Sequence, residues 1–244
     1  MRLDRYLSQV TPLSRSQARK AIRAGRVLVE GRLAREPALD VPLSARLELD
    51  GRGLGRPGYR YFMLNKPAGC VCATWDPQHR TVIDLLHEPV TAGLHPVGRL
   101  DLDTTGLVLL SDDGAWSHRI TSPRRHTPKT YRVGLALPLS EPQAQRLCRG
   151  VVLRHEPHPT RPARLERLGE REIRLTLTEG RYHQVKRMLA ALGNRVTTLH
   201  REAVAGLALD AGLAPGQYRP LTAGEILRAV AGPAAGRSPP TIAD

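Results

Sequence analysis

Cysteine, lysine and acidic side chains are all scarce in this 244-residue chain. Of the three cysteines, Cys70 and Cys72 lie too close together, with no second pair, to build a zinc site, and Cys148 stands alone. All three therefore read as reduced, structural thiols. No apolar run reaches the roughly 18 residues needed to cross a bilayer, which argues against a membrane partner. The start, Met1 to Asp4, lacks the basic segment and apolar stretch of a secretory leader, so the expected location is the cytoplasm. Lysine occurs only at Lys20, Lys66, Lys129 and Lys186, which leaves arginine to supply most of a formal net charge of +14.

That excess attracts polyanions, and the planar guanidinium suits bidentate phosphate contact better than an ammonium does. Nucleic acid is the first partner to consider; the plainer explanation is an arginine-biased surface with no particular partner. Apolar residues make up 41% and charged residues 25% of the chain, ordinary values for a protein with a packed core. The length suits a small module plus a larger catalytic domain, with nothing to suggest an oligomer.

The first fifty residues predict a small helix-helix-strand unit. Leu3, Tyr6, Leu7 and Val10 repeat at helical spacing, Ser14 and Gln17 form a capping box before Ala18, Ala21 and Ile22, and Gly25 fits a helix end. Val27 to Val29 and Ala45 to Leu49 read as strands around Gly31. The polar helix face carries Arg15, Arg19, Lys20 and Arg23, with Arg26 just beyond. A solvated basic face would account for them.

Residues 51–58, GRGLGRPG, break either helix or strand and predict a linker. From 59 to 231, strand-like runs at Tyr61–Leu64, Leu107–Leu110, Tyr131–Leu137 and Ile173–Leu177 mix with helices. Capping boxes at Ser140/Gln143 and Thr222/Glu225, and a helix from His183 to Leu192 closed by Gly193, complete the pattern. Without regular alternation the fold class is α+β, with a mixed, largely antiparallel sheet flanked by helices. Residues 232–244 read as a disordered tail.

The most informative stretch is GRLDLDTTGLVLLSDDG, residues 98–114. Asp101 stands before a polar turn that feeds an apolar strand, a placement that can aim a carboxylate from a sheet rim into a cleft. The spacing of Asp101, Asp103, Thr105, Gly106 and Asp112 imitates a calcium loop, but residues 107–110 are apolar and strand-forming. The Asp-Leu-Asp triplet could hold a metal for sugar transfer, yet no histidine or carboxylate cluster elsewhere completes a site. Asp103, Asp112 and Asp113 read most simply as turn formers.

This stretch resembles the signature of the RsuA-type pseudouridine synthases. NKPAGCVCAT (65–74), WSHRITSP (116–123), KTYRV (129–133), EGRYHQVKRMLAALGNRV (179–196) and LHRE (199–202) resemble the same family. The stretch SRSQARKAIRAGRVLVEGR is similar to the S4 RNA-binding module, whose basic helix lies against RNA backbone. Together the resemblances reach from residue 1 to about Val230. EGRYHQVKRM points within the family to small-subunit (16S) ribosomal RNA as substrate, with large-subunit RNA the nearest alternative.

The resemblance implies that Asp101 is the nucleophile, forming a covalent or glycal-type intermediate, and that no cofactor or metal takes part. A carboxylate attacks only while ionised, which calls for a cationic neighbour; Lys186 matches the family's position, where Arg is common. Helical spacing sets Val185, Met188, Leu189 and Leu192 on one stripe, Lys186 on its flank and Arg187 opposite. Tyr131 matches the family's active-site tyrosine; ordinary strand packing is its plainer role. Arg99, His183, Gln184 and Arg187 are further RNA-contact candidates, and the target uridine is expected to flip out of its stack. The rival of another class is a non-catalytic ribosomal RNA-binding or assembly protein.

Overall fold

A computed structural model describes residues 1–55, 58–88, 91 and 93–231; the expected tail, 232–244, and Arg56 and Pro57 of the expected linker lie outside the described residues. The chain forms two compact units, one of residues 1–60 with 86–94, the other of residues 61–85 and 95 onward.

In the first unit, α1 (Leu3–Val10) packs on α2 (Arg15–Arg23). Ser14 Oγ accepts from the Gln17 amide while the Gln17 side chain accepts from the Ser14 amide, so the predicted capping box starts α2. Strands β1 (Val27–Val29), β2 (Arg32–Ala34), β3 (Leu47–Leu49) and β4 (Arg52–Gly53) form an antiparallel sheet in the order β2-β1-β3-β4. The β3–β4 link is Asp50-Gly51, with φ of 52° and 74°; a two-residue turn with both φ positive matches the strand twist. The first sheet thus runs on into the stretch read from sequence as linker. Leu3, Leu7, Ile22, Val27 and Leu47 make the core between helices and sheet.

The second unit is built on a nine-stranded mixed sheet. Its strands are β5 (Tyr61–Lys66), β6 (His95–Val97), β7 (Thr105–Ser111), β8 (Lys129–Leu135), β9 (Arg164–Gly169), β10 (Glu172–Leu177), β11 (Val196–Val204), β12 (Leu207–Ala208) and β13 (Tyr218–Pro220). The main path is β13-β5-β7-β11-β8-β10-β9, with β6 added to β7 and β12 to β11. Among the described strands only β7 and β11 run parallel. Helices α3 (Gly114–Thr121), α4 (Glu141–Arg149), α5 (Gln184–Ala190) and α6 (Ala223–Ala231) flank the sheet, which gives the expected α+β class.

Sequence pattern explains the layers. Residues 106–111 of β7 are all buried, so an unbroken apolar run lies at the sheet centre, whereas β10 alternates and turns Ile173, Leu175 and Leu177 inward. Those three pack with Leu147 of α4 and with Val185, Met188 and Leu189 of α5, the stripe predicted for that helix. Each such side chain contributes about 1.5–3 kcal/mol by leaving water. A second core joins Leu107 and Leu109 to Trp116 and Ile120 of α3 and Ala229 of α6.

Candidate active site

The backbone of the loop between β6 and β7, residues 98–104, is held from three sides. Lys66 is fully buried at the end of β5, and its ammonium donates to the carbonyls of Pro67 (3.0 Å), Leu102 (3.2 Å) and Thr104 (2.8 Å). Burial is also what pushes the Lys66 pKa down. The Leu100 amide donates to Cys72 Sγ at 3.3 Å, and the buried Arg201 of β11 donates from Nε to Leu107 O (2.8 Å) and from Nη1 to Arg99 O (3.4 Å). Arg201 approaches this closely because residue 106 is glycine. Gly106 pairs with Arg201 across β7–β11 at φ 103°, and a Cβ there would press on the Arg201 backbone.

On this loop Asp101 is about one-quarter exposed and lines a cavity of about 790 Å³. Lys186, in the first turn of α5, brings Nζ to 3.3 Å from Asp101 Oδ2, the predicted pairing. His183 Nε2 lies 3.5 Å from Asp101 Oδ1. Lys186 makes a shorter bond, 2.6 Å, to Asp103, so Asp103 is a second anchor for the lysine and more than the turn former expected from sequence. Burial alone would lower the Lys186 pKa; the hydrogen bonds to Asp103 and Asp101 outweigh it and raise it. The hydrogen bond from Lys186 is in turn the largest cause lowering the Asp103 pKa. His183 sits just before α5 at φ 47°, an uncommon left-handed conformation for a non-glycine residue, with its ring stacked on Tyr182 at 3.8 Å.

Tyr131 lines the same cavity from β8, opposite Leu175 on one side and Arg201 on the other, with its ring packed against the core. Arg99 also lines the cavity and is exposed. Two expectations need correction. The Gln184 amide, rather than facing RNA, is buried: it donates to Glu179 at 2.6 Å and accepts from the Arg181 amide at 2.8 Å, which braces the start of α5. Arg187 is spent on structure, bonding Glu156 at 2.9 Å and the Arg154 carbonyl at 2.8 Å.

In the first unit the basic residues divide in the same way. Asp4 is fully buried, and hydrogen bonds from Arg2 and then Arg19 hold its carboxyl far below the usual range against the opposing effect of burial. Arg15 and Arg19 reach it at 3.4 and 2.8 Å, while Arg26 grips Asp50 with two bonds of 2.8 and 2.6 Å. Among the described residues, Lys20 and Arg23 are exposed without an ion pair.

The sequence reading passed over Lys129, whose Nζ donates to Thr127 O at 2.9 Å on the cavity wall. Burial, with Arg201 adding to it, pushes the Lys129 pKa down to about 8. Lys66, Cys72 and Arg201 were also passed over as individuals. Each lies in a motif that signals the family, NKPAGCVCAT, KTYRV or LHRE, but motif membership alone does not tell scaffold from reacting group.

The sequence and fold are similar to those of known proteins. Residues 60–191 match the family model described as RNA pseudouridylate synthase, and residues 1–47 match the S4 domain. "Ribosomal small subunit pseudouridine synthase A" of Escherichia coli strain K12 is 52% identical over 231 residues, covering 94% of this chain and 100% of that protein. The protein of the same name from Vibrio parahaemolyticus is 50% identical over 228 residues, covering 93% and 98%. A solved structure titled "Crystal structure of pseudouridylate synthase" superposes with a TM-score of 0.69 at 46% identity, covering 94% of this chain and 100% of that one. The chain belongs to the RNA pseudouridylate synthase family, in its RsuA-type branch with an amino-terminal S4 domain.

Proposed function

We propose that this enzyme isomerises one uridine of small-subunit ribosomal RNA to pseudouridine, with Asp101 as nucleophile, Lys186 as its counter-charge and Tyr131 against the target base. The observation that carries this reading is the Asp101 carboxylate on a cavity wall, 3.3 Å from the Lys186 ammonium, with Tyr131 lining the same space. A loop carboxylate held by a rigid scaffold can meet an electron-poor sugar or pyrimidine carbon. The cavity volume suits a single nucleotide, so the uridine is taken out of its stack before reaction. The net charge of +14, together with the unpaired Lys20 and Arg23 of the S4 domain, supports binding along a phosphate backbone. The names of the relatives support the choice of small-subunit RNA.

The test is to incubate purified protein with small-subunit and large-subunit ribosomal RNA, as free RNA and as particles, and to map pseudouridine. One modified position in small-subunit RNA is expected. Modification of large-subunit RNA alone would overturn the substrate assignment, and modification of neither would overturn the activity.

A further inference from the structure

Among the described residues, two cations of the cavity wall, Lys129 and Arg201, form no ion pair. Arg201 is 1% exposed, and while Nε and Nη1 donate to carbonyls, Nη2 has no partner among the described residues. Lys129 uses one of its three donors, on Thr127 O. The three carboxylates lining the cavity are engaged elsewhere. Asp76 accepts from the Gln78 and His79 amides, Asp101 faces Lys186 and His183, and Glu179 takes Arg181 and Gln184. Two neighbouring positive charges, Arg201 buried and Lys129 partly so, thus have no contacting counter-ion among the described residues, with Glu179 acting on Lys129 only at a distance, an arrangement that an anion in the cavity would relieve.

The reaction supplies one. When the C1′–N1 bond breaks, its electron pair stays on N1 and the ring leaves as the uracil anion, its charge shared with O2 and O4, while C1′ bonds to the Asp101 carboxylate. Formation of C1′–C5 then releases that carboxylate, C5 loses its proton and N1 gains one. Should the carboxylate add to C6 of the ring instead, the electron pair of the C5–C6 double bond moves toward O4, and the ring again becomes anionic at oxygen. Negative charge develops on the base by either route, and it is absent from the bound uridine.

We infer that Lys129 and Arg201 form the anion site for the uracil ring, stabilising charge that exists only during the reaction. This rests on the proposed pseudouridine chemistry and assigns two catalytic residues beyond Asp101, Lys186 and Tyr131. Fixed donors aimed at developing charge in a water-poor site act most strongly in the transition state, and losing one costs about 100- to 1,000-fold in rate. A backbone phosphate would satisfy the same cations, but its charge is equal before and during reaction, so it would show in affinity and leave the rate unchanged.

The experiment compares Lys129→Met and Lys129→Arg with the wild-type full chain, measuring single-turnover pseudouridine formation at saturating enzyme, RNA affinity by filter binding and thermal unfolding. Lys129→Met is expected to lose about 100- to 1,000-fold in rate with affinity within threefold and no loss of thermal stability, and Lys129→Arg to recover much of the rate. A wild-type rate in Lys129→Met, or a loss confined to affinity, would overturn the inference. Asp101→Asn run alongside separates the two readings. If it stays active the nucleophile assignment fails, whereas an inactive Asp101→Asn beside a fully active Lys129→Met sinks only the anion site.

Discussion

Replacing Lys186 by Met removes the cation from a cluster in which it bridges two carboxylates, 3.3 Å from Asp101 and 2.6 Å from Asp103. At 3.3 Å a unit charge pair is worth about 1 kcal/mol with water-like screening and about 5 kcal/mol at an effective dielectric of about 20. Lys186 and Asp101 are each about one-quarter exposed, so an intermediate value of about 2–3 kcal/mol is appropriate. That corresponds to about 30- to 150-fold in rate. The assay is single-turnover pseudouridine formation at saturating enzyme, with RNA affinity measured separately. Lys186→Arg should keep most of the rate, because a guanidinium can span the same two acids. Asp103→Asn should cost only a few-fold, since it frees Lys186 for Asp101. A Lys186→Met enzyme within threefold of wild type would refute the counter-charge argument, and so would an Asp103→Asn as slow as Lys186→Met.

Gly106→Ala should destabilise the second unit by about 3 kcal/mol or more, because the new Cβ would lie 2.7 Å from the Arg201 amide at a φ of 103°; urea unfolding within about 1 kcal/mol of wild type would contradict this. Arg219 hydrogen bonds push the Glu225 carboxyl from 4.5 down to about 2. A depressed carboxylate stabilises the fold above its unfolded value, and that contribution is lost as pH falls from about 4.5 to about 2, amounting to about 3 kcal/mol. Thermal unfolding across that window should show a steeper loss for wild type than for Glu225→Gln, and parallel curves would dispose of the claim. The double variant Lys20→Ala/Arg23→Ala should weaken RNA binding and flatten its dependence on salt concentration by one to two phosphate contacts; an unchanged slope would remove these side chains from the interface.

Legibility from sequence varied with the range of the interaction. Local signals carried well: the capping boxes at Ser14, Ser140 and Thr222 close as their spacing predicts, and the apolar run after Gly106 is a central strand. β11 was missed because VTTLHREAV mixes polar and charged residues, and only its place between β7 and β8 makes a strand of it. The pairing of Asp101 with Lys186 was legible through family resemblance and helix geometry. Partner choice among nearby polar groups was not. Gln184 and Arg187 carry the residue types of an RNA contact, yet Glu179, five residues before Gln184, and Glu156, 31 residues before Arg187, claim them, and no spacing rule marks either acid as the partner. Buried cations such as Lys66 and Arg201 are hidden for a related reason, since their acceptors are backbone carbonyls, which leave no mark in a sequence.

The most direct measurement concerns Asp101. Making pseudouridine replaces the hydrogen at C5 of the target uridine with the bond to C1′, so small-subunit ribosomal RNA labelled with tritium at uridine C5 reports turnover by release of label to water. Wild-type protein should release one equivalent per RNA. Asp101→Asn, with RNA affinity within threefold of wild type, should release none above background. Release by Asp101→Asn at more than about a tenth of the wild-type rate would contradict the assignment of this carboxylate as the nucleophile.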